Sequence, residues 1–190
     1  MITYEKLTEI TKESTEVFAG KMLHAYCDTV NLPNGKPARR EYVRHIGAVA
    51  IVPMTDEGNV IMERQFRYPV GEVVLEIPAG KLDDPEEDRL QAAKRELQEE
   101  TGISAKEWIE LGEYRPAPAY SNEVITLYLA RGLQYGSQSL DDDEFLNIEQ
   151  IPLQELVQQI MDGTLTDGKT QVGILKAAAI VKRIGRDKMK

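Results

Sequence analysis

Arg95-Glu96-Leu97-Gln98-Glu99-Glu100 puts three carboxylates and a guanidinium into six consecutive residues. On a helix, positions three and four apart share a face, so Glu96 and Glu100 stack one turn apart with Glu99 beside them. Two like charges about 4 Å apart repel by roughly 4 kcal/mol at an effective dielectric of about 20. A hard divalent cation removes that penalty, and carboxylate oxygens are the ligands magnesium prefers. Arg95 precedes Glu99 by four residues and can hold that carboxylate through a charge-assisted hydrogen bond. The plain alternative is a solvated helix face, where runs such as E-L-Q-E-E are common.

The elements around the helix tell against that alternative. A strand-like run, Val73-Val74-Leu75 with Ile77, leads into Pro78-Ala79-Gly80, which reads as a glycine turn, and an acidic loop follows. Leu90, Ala93 and Leu97 form a packing stripe at helical spacing, and Thr101-Gly102 ends the helix with the residue that suits a left-handed cap. Upstream, residues 14–44 read as extended segments broken at Pro33-Asn34-Gly35. Gly47–Pro53 is a buried apolar strand that Asp56–Asn59 turns back into Val60–Gln65. Trp108–Tyr114, Val124–Ala130 and Phe145–Ile148 are further strands. Ile151-Pro152-Leu153 opens a helix with Pro152 in its first turn, and a last helix runs from about Lys169 towards Lys182 and Arg183. The order predicts an α/β chain: a mixed sheet sandwiched by helices.

Composition bounds the function. At 190 residues and 42% hydrophobic, the chain can bury one full core without splitting. The single cysteine, Cys27, excludes an internal disulfide and suits a reducing, cytoplasmic setting. The polar opening Met1–Lys6 reads as no signal peptide, and no apolar run reaches the length of a membrane span. A net charge of -9 argues against nucleic acid as a partner and requires local help to hold an anionic substrate. His24 and His45 are too few for a histidine-based hydrolase or zinc site, and there is no P-loop.

Residues 80–103 resemble the Nudix box, G-x5-E-x7-R-E-U-x-E-E-x-G-U, where U is aliphatic. Arg95 to Ile103 fits the second half, and Glu87 stands seven residues before Arg95, as the pattern asks. Six residues rather than five separate Gly80 from Glu87, which we read as an insertion in the Lys81–Glu86 loop. Further motifs resemble the ADP-ribose pyrophosphatase (ADP-sugar diphosphatase) branch: Glu76-Ile77-Pro78-Ala79-Gly80-Lys81-Leu82, Glu63–Pro69, Arg44–Val49, Ala119–Glu123 and Asp167–Thr170. The resemblance covers residues 14–185 and implies the Nudix fold, an α/β/α sandwich. It divides the chain into extended, dimer-forming segments at 1–45 and a catalytic domain at 46–190.

The chemistry that the resemblance implies is metal-dependent hydrolysis of a nucleoside diphosphate sugar, ADP-ribose first, to AMP and a sugar phosphate. Glu96, Glu99, Glu100 and the Ala79 carbonyl would hold Mg2+, with Mn2+ the other candidate. Arg95 would orient a carboxylate, and Glu87 would reach the cluster from its loop. The general base would come from the acidic run Asp141–Glu144, with Glu144 favoured and Asp142 the alternative. A guanidinium forks onto phosphate, and among Arg39, Arg40, Arg44, Arg64 and Arg67 the resemblance favours Arg44 and Arg67 as phosphate binders. Glu123 would hold a ribose hydroxyl or the base, and the partners would be the nucleotide sugar and a second copy of the chain. The rival readings are a Nudix hydrolase of GDP-mannose or a nucleoside triphosphate, and a sensor that binds ADP-ribose without cutting it.

Overall fold

The computed structural model of the protein describes residues 4–140 and 144–187. Two compact units make up the chain: Met1–Ile46 with Ala117–Glu123, and Gly47–Pro116 with Val124–Lys190.

In the first unit, β1 (Ile10–Ala19), β2 (His24–Asn31) and β3 (Pro37–Arg44) form an antiparallel sheet in that order. Gly35, at φ 81°, takes the left-handed position of the turn between β2 and β3. β2 buries Cys27, Asp28 and Val30, whereas every residue of β1 is exposed. Residues 117–123 lie along β3: the Val43 amide donates to the Tyr120 carbonyl at 2.8 Å, and the His45 amide to Asn122 Oδ1 at 2.7 Å.

The second unit holds a four-stranded mixed sheet of β4 (Ala48–Pro53), β7 (Ala79–Lys81), β8 (Ile103–Tyr114) and β9 (Ile125–Tyr135), ordered β7-β4-β9-β8. β4 runs parallel to β9 and the other pairs are antiparallel. A second, antiparallel sheet is ordered β10-β5-β6, from β5 (Asn59–Arg67), β6 (Glu72–Glu76) and β10 (Leu146–Pro152). The helices are α1 (Arg89–Thr101), α2 (Leu153–Met161) and α3 (Gly168–Asp187).

All of β4 is buried, so both of its faces are covered. Ala48, Ala50 and Val52 enter the main core with Leu127, Leu129, Leu156 and the α3 residues Ile174 and Ala177. Val49 and Ile51 point the other way by strand alternation, and α1 packs on β4, β7 and β8. The sheet is thus covered by helices on its two faces, as the sequence predicts.

Several details differ from the sequence reading; β9, for example, runs on to Tyr135. β8 starts at Ile103, directly after the α1 cap, because Gly102 leaves no room for further helix; its polar positions Lys106 and Glu107 had hidden it. Ile151 and Pro152 end β10 rather than begin α2, since pairing with Val60 and Asn59 keeps them extended and Pro152 becomes the cap residue. Gly80 is not a turn glycine: it lies within β7, paired with Val49, and its φ is not positive.

Candidate active site

α1 is fixed at both ends. Asp88 Oδ1 accepts from the Gln91 amide at 2.9 Å, and Gly102, at φ 69°, returns its amide to the Gln98 carbonyl at 2.9 Å. Between the caps the buried face consists of Ala92, Ala93, Leu97 and Thr101, together with Glu96 and Glu100. Two acids therefore share the inner stripe of an otherwise apolar face. Glu100 Oε2 accepts from the Ala79 amide at 3.0 Å, which ties the helix to β7. Glu96 lies over Gly80 so closely that a Cβ there would fall on its carboxylate. This close approach, rather than a turn, is why glycine stands at 80.

Neither carboxyl ionises readily. Burial pushes Glu96 up to about 7, against the pull of Arg95 and with further upward pressure from Glu99 and Glu144. Burial raises Glu100 as well, helped by Glu63, Glu96 and Glu144.

Arg95 ties the outer side of the group together. Its Nη1 donates to Glu96 Oε1 at 2.8 Å and to Glu99 Oε2 at 3.1 Å, while Nη2 reaches Glu87 Oε1 at 3.3 Å. Burial opposes the charge of Arg95, but Glu96 and Glu99 outweigh it and the guanidinium is held above its ordinary value. Glu87 also accepts from the Asp83 amide at 2.8 Å, so it anchors the loop to the Arg95 clamp. Glu99 is half-exposed, unlike its two neighbours.

Three further residues of the second unit, Glu63, Glu76 and Lys169, have no individual role in the sequence reading. Glu63 of β5 and Glu76 of β6 are direct cross-strand partners, and both are buried. Arg67 forks onto Glu76, Nε to Oε1 at 2.7 Å and Nη2 to Oε2 at 2.9 Å, and Lys169 at the start of α3 also donates to it. Although burial raises Glu76, those two cations win and its carboxyl lies below its ordinary value. Asp167 caps α3 through the Thr170 amide at 2.9 Å, and Thr170 Oγ1 accepts from the Ile77 amide at 3.0 Å. Glu63 has no comparable partner: it is 0% exposed and both carboxylate oxygens are buried without a hydrogen bond. Its carboxyl is pushed up by burial first and by Glu76 second. One signal was available in the sequence: on a strand, Glu63 shares a face with Ile61, an inward apolar position.

Residues 136–139 close the far end of α1. The Ser139 amide donates to the Glu99 carbonyl at 3.0 Å, the Gly136 amide to the Gly102 carbonyl at 2.8 Å, and Gln138 Nε2 to the Glu100 carbonyl. Carbonyls that a helix end leaves open are thereby satisfied. Glu144 stands half-buried just before β10 and acts electrostatically on Glu63, Glu96 and Glu100. Asp142, the alternative base, lies outside the described residues. Glu144 lines a cavity of ≈ 380 Å³ with Arg64 and Phe66, and Arg67 and Glu76 line another of ≈ 400 Å³ with Lys169. Both volumes fall in the range of small-molecule sites, about 300–1,000 Å³.

Arg44 and Glu123 belong to the first unit. The Arg44 guanidinium stacks 3.7 Å from the Tyr26 ring centroid and donates to Tyr42 Oη at 2.7 Å. Glu123 lies 3.8 Å from His45 Nδ1. Arg39 donates to Cys27 Sγ and Arg40 to Glu9, while Arg64 of the second unit pairs with Glu149.

A divalent cation fits the second-unit group on its donor chemistry. The donors are oxygens only, which suits Mg2+ or Mn2+, and Glu63 offers two oxygens that nothing satisfies. Among the described residues no three acids, histidines or cysteines already form a ligand group. Magnesium does not need one, because it binds through one or two carboxylates and keeps several waters.

The electrostatics also predict a pH dependence. With its folded value near 7 against an ordinary 4.5, Glu96 favours the metal-free fold most below its unfolded value. That stability is lost as pH rises through about 7, by roughly 3 kcal/mol for this group. Thermal melts in EDTA should therefore show Tm falling from about pH 5 to about pH 8; Glu96→Gln should make the fall shallower, with the raised carboxyls of Glu63 and Glu100 supplying what remains.

The NUDIX domain profile matches residues 44–170. An ADP-ribose pyrophosphatase of Bacillus subtilis (strain 168) is 38% identical over 172 residues, covering 90% of this chain and 92% of that protein. The methanol dehydrogenase activator of Bacillus methanolicus is 38% identical over 168 residues, 87% and 90% of the two chains. A solved structure described as an ADP compounds hydrolase superposes with a TM-score of 0.84 over 94% of this chain and 96% of that one, at 24% identity, which speaks to the fold. Among the described residues no helix is long and apolar enough to cross a membrane.

Proposed function

This chain belongs to the NUDIX domain family, and from that premise we propose that it hydrolyses the diphosphate of ADP-ribose to AMP and ribose 5-phosphate. Hydrolases of the family depend in general on a divalent metal; here we assign Mg2+. The single observation that carries this reading is the burial of Glu96 and Glu100 side by side on α1, in a chain 38% identical to an ADP-ribose pyrophosphatase over 90% of its length.

The substrate's diphosphate repels an incoming water, so charge must be neutralised and the water aligned. The bound cation supplies that neutralisation. Glu96, Glu100 and the Ala79 carbonyl would hold it, Glu99 would add or position a ligand, and Arg95 aims the Glu96 and Glu99 carboxylates. Glu144 takes the proton as water attacks one phosphorus; the bridging P–O bond breaks and its electron pair leaves with the other phosphate. Arg67 and Arg44 bind phosphate, and Glu123 a ribose hydroxyl or the base.

The protein acts in the cytoplasm, where Cys27 remains a thiol, and works as a homodimer. Residues 1–45 supply the interface and 46–190 the catalytic domain. The exposed Ile10, Val17 and Phe18 of the edge strand β1, with Met22 and Leu23 after it, support this assembly. Sedimentation at micromolar concentration should give twice the chain mass; a monomer would count against it.

Product analysis on ADP-ribose, ADP-glucose, GDP-mannose and nucleoside triphosphates with Mg2+ tests the activity. ADP-ribose should have a kcat/KM at least about tenfold above the others, the discrimination that one or two kcal/mol of binding provides. Tight, Mg2+-independent ADP-ribose binding without AMP release would instead make the protein a sensor.

A further inference from the structure

We propose that Glu63 is the sheet-side acceptor for the hydration shell of a divalent cation held at Glu96 and Glu100. The inference rests on the hydrolase reading for the presence of that cation and adds to it a residue outside the Nudix-box segment.

Glu63 and Glu76 make a natural comparison. They face each other across β5 and β6 and are equally buried, at 0% and 1% exposed. Arg67 and Lys169 both bond to Glu76, while the two oxygens of Glu63 have no hydrogen-bond partner. A buried acid is ordinarily paired, because a low-dielectric interior penalises a bare one. Arg67 and Lys169 act on both acids, yet they direct hydrogen bonds to Glu76 and leave the oxygens of Glu63 unbonded. Packing does not explain the choice either: Ile61, on the same face of β5, is an apolar residue buried just as deeply.

The strand that pairs with Glu63 leads towards α1: Glu76, its cross-strand partner, stands three residues before Ala79, whose amide donates to Glu100. Glu63 is the foremost charged neighbour acting on Glu100, and Glu144 acts on both. A cation at Glu96 and Glu100 would therefore have Glu63 within its surroundings. Magnesium binds through one or two carboxylates, which Glu96 and Glu100 supply, so Glu63 is suited to act across water rather than by touching the ion. Magnesium retains several waters, each with hydrogens that need acceptors. Acceptors in that outer layer matter about 10–100-fold to metal affinity.

Mn2+ titrations followed by electron paramagnetic resonance test this on the full chain, with thermal melts in EDTA as a second readout. Glu63→Gln should bind Mn2+ at least about tenfold more weakly than wild type, while its metal-free Tm equals or exceeds that of wild type. Should the amide variant fail to fold, Glu63→Met supplies an apolar side chain of similar length and is expected to show the same loss of affinity. Glu72→Gln, which removes an exposed carboxylate from β6, should bind Mn2+ like wild type. Wild-type Mn2+ affinity in the Glu63 variants, or an equal weakening in Glu72→Gln, overturns the proposal while leaving the metal site intact. Undiminished Mn2+ binding by Glu100→Gln overturns the metal site itself, and this inference with it.

Discussion

Glu100→Gln is expected to lower AMP release from ADP-ribose by about 10³-fold, roughly 4 kcal/mol of barrier, while the metal-free protein melts no lower than wild type. The two effects have opposite signs for one reason. In the metal-free fold Glu100 is 3% exposed, and burial together with Glu63 and Glu96 holds its carboxyl well above the ordinary value. An amide there removes an electrostatic liability and can still accept from the Ala79 amide at Oε2's position. The same change removes a charge that the proposed cation site needs. A merely structural Glu100 would show the reverse pattern, with a lowered Tm and activity lost only in proportion to unfolding. Steady-state kinetics and melts in EDTA on one preparation separate the two.

The second large effect concerns a single methyl group. Gly80→Ala should cost about 10²-fold in activity, the scale of an ångström-sized misplacement at a reacting centre. Backbone strain is not the cause, because Gly80 has no positive φ. Its new Cβ would occupy the place of the Glu96 carboxylate, forcing that side chain away from the proposed cation site and from its 2.8 Å bond to Arg95. Gly102→Ala offers the contrast. Gly102 has φ 69° and its Cβ would meet backbone at Gln138 and Ser137 at 2.7 Å, so the loss there should be stability. Urea unfolding should find Gly80→Ala within about 1 kcal/mol of wild type and Gly102→Ala clearly below it.

Which parts could be read from the chain depends on how local their physics is. The α1 helix, its glycine cap and the stacking of Glu96 on Glu100 follow from spacing along one element, and the structure has them in that form. The Arg95–Glu99 bond is likewise an i,i+4 contact. Gly80 reads as a turn glycine because its requirement comes from a side chain sixteen positions away, and no window around Pro78-Ala79-Gly80 contains Glu96. Glu76 and Lys169 meet across 93 positions, so Glu76 was visible only as part of a motif and its ion pair not at all. Glu63 was passed over for a different reason: a single acid at the end of Val60-Ile61-Met62 resembles the polar end of a hairpin strand. Only the pairing with Glu76 shows that it is enclosed. The 136–139 segment reads as polar loop, and its role in closing α1 appears only once the carbonyls of Glu99 and Glu100 are seen to end there.

The claim on which the account depends is that the inner carboxylates of α1 hold a cation. Anomalous diffraction from crystals of the wild-type protein soaked in Mn2+ tests it most directly. A peak is expected at coordination distance, about 2 Å, from carboxylate oxygens of both Glu96 and Glu100. An active enzyme whose Mn2+ peak lies elsewhere, with Glu96 and Glu100 still turned to Arg95 and the Ala79 amide alone, would contradict it.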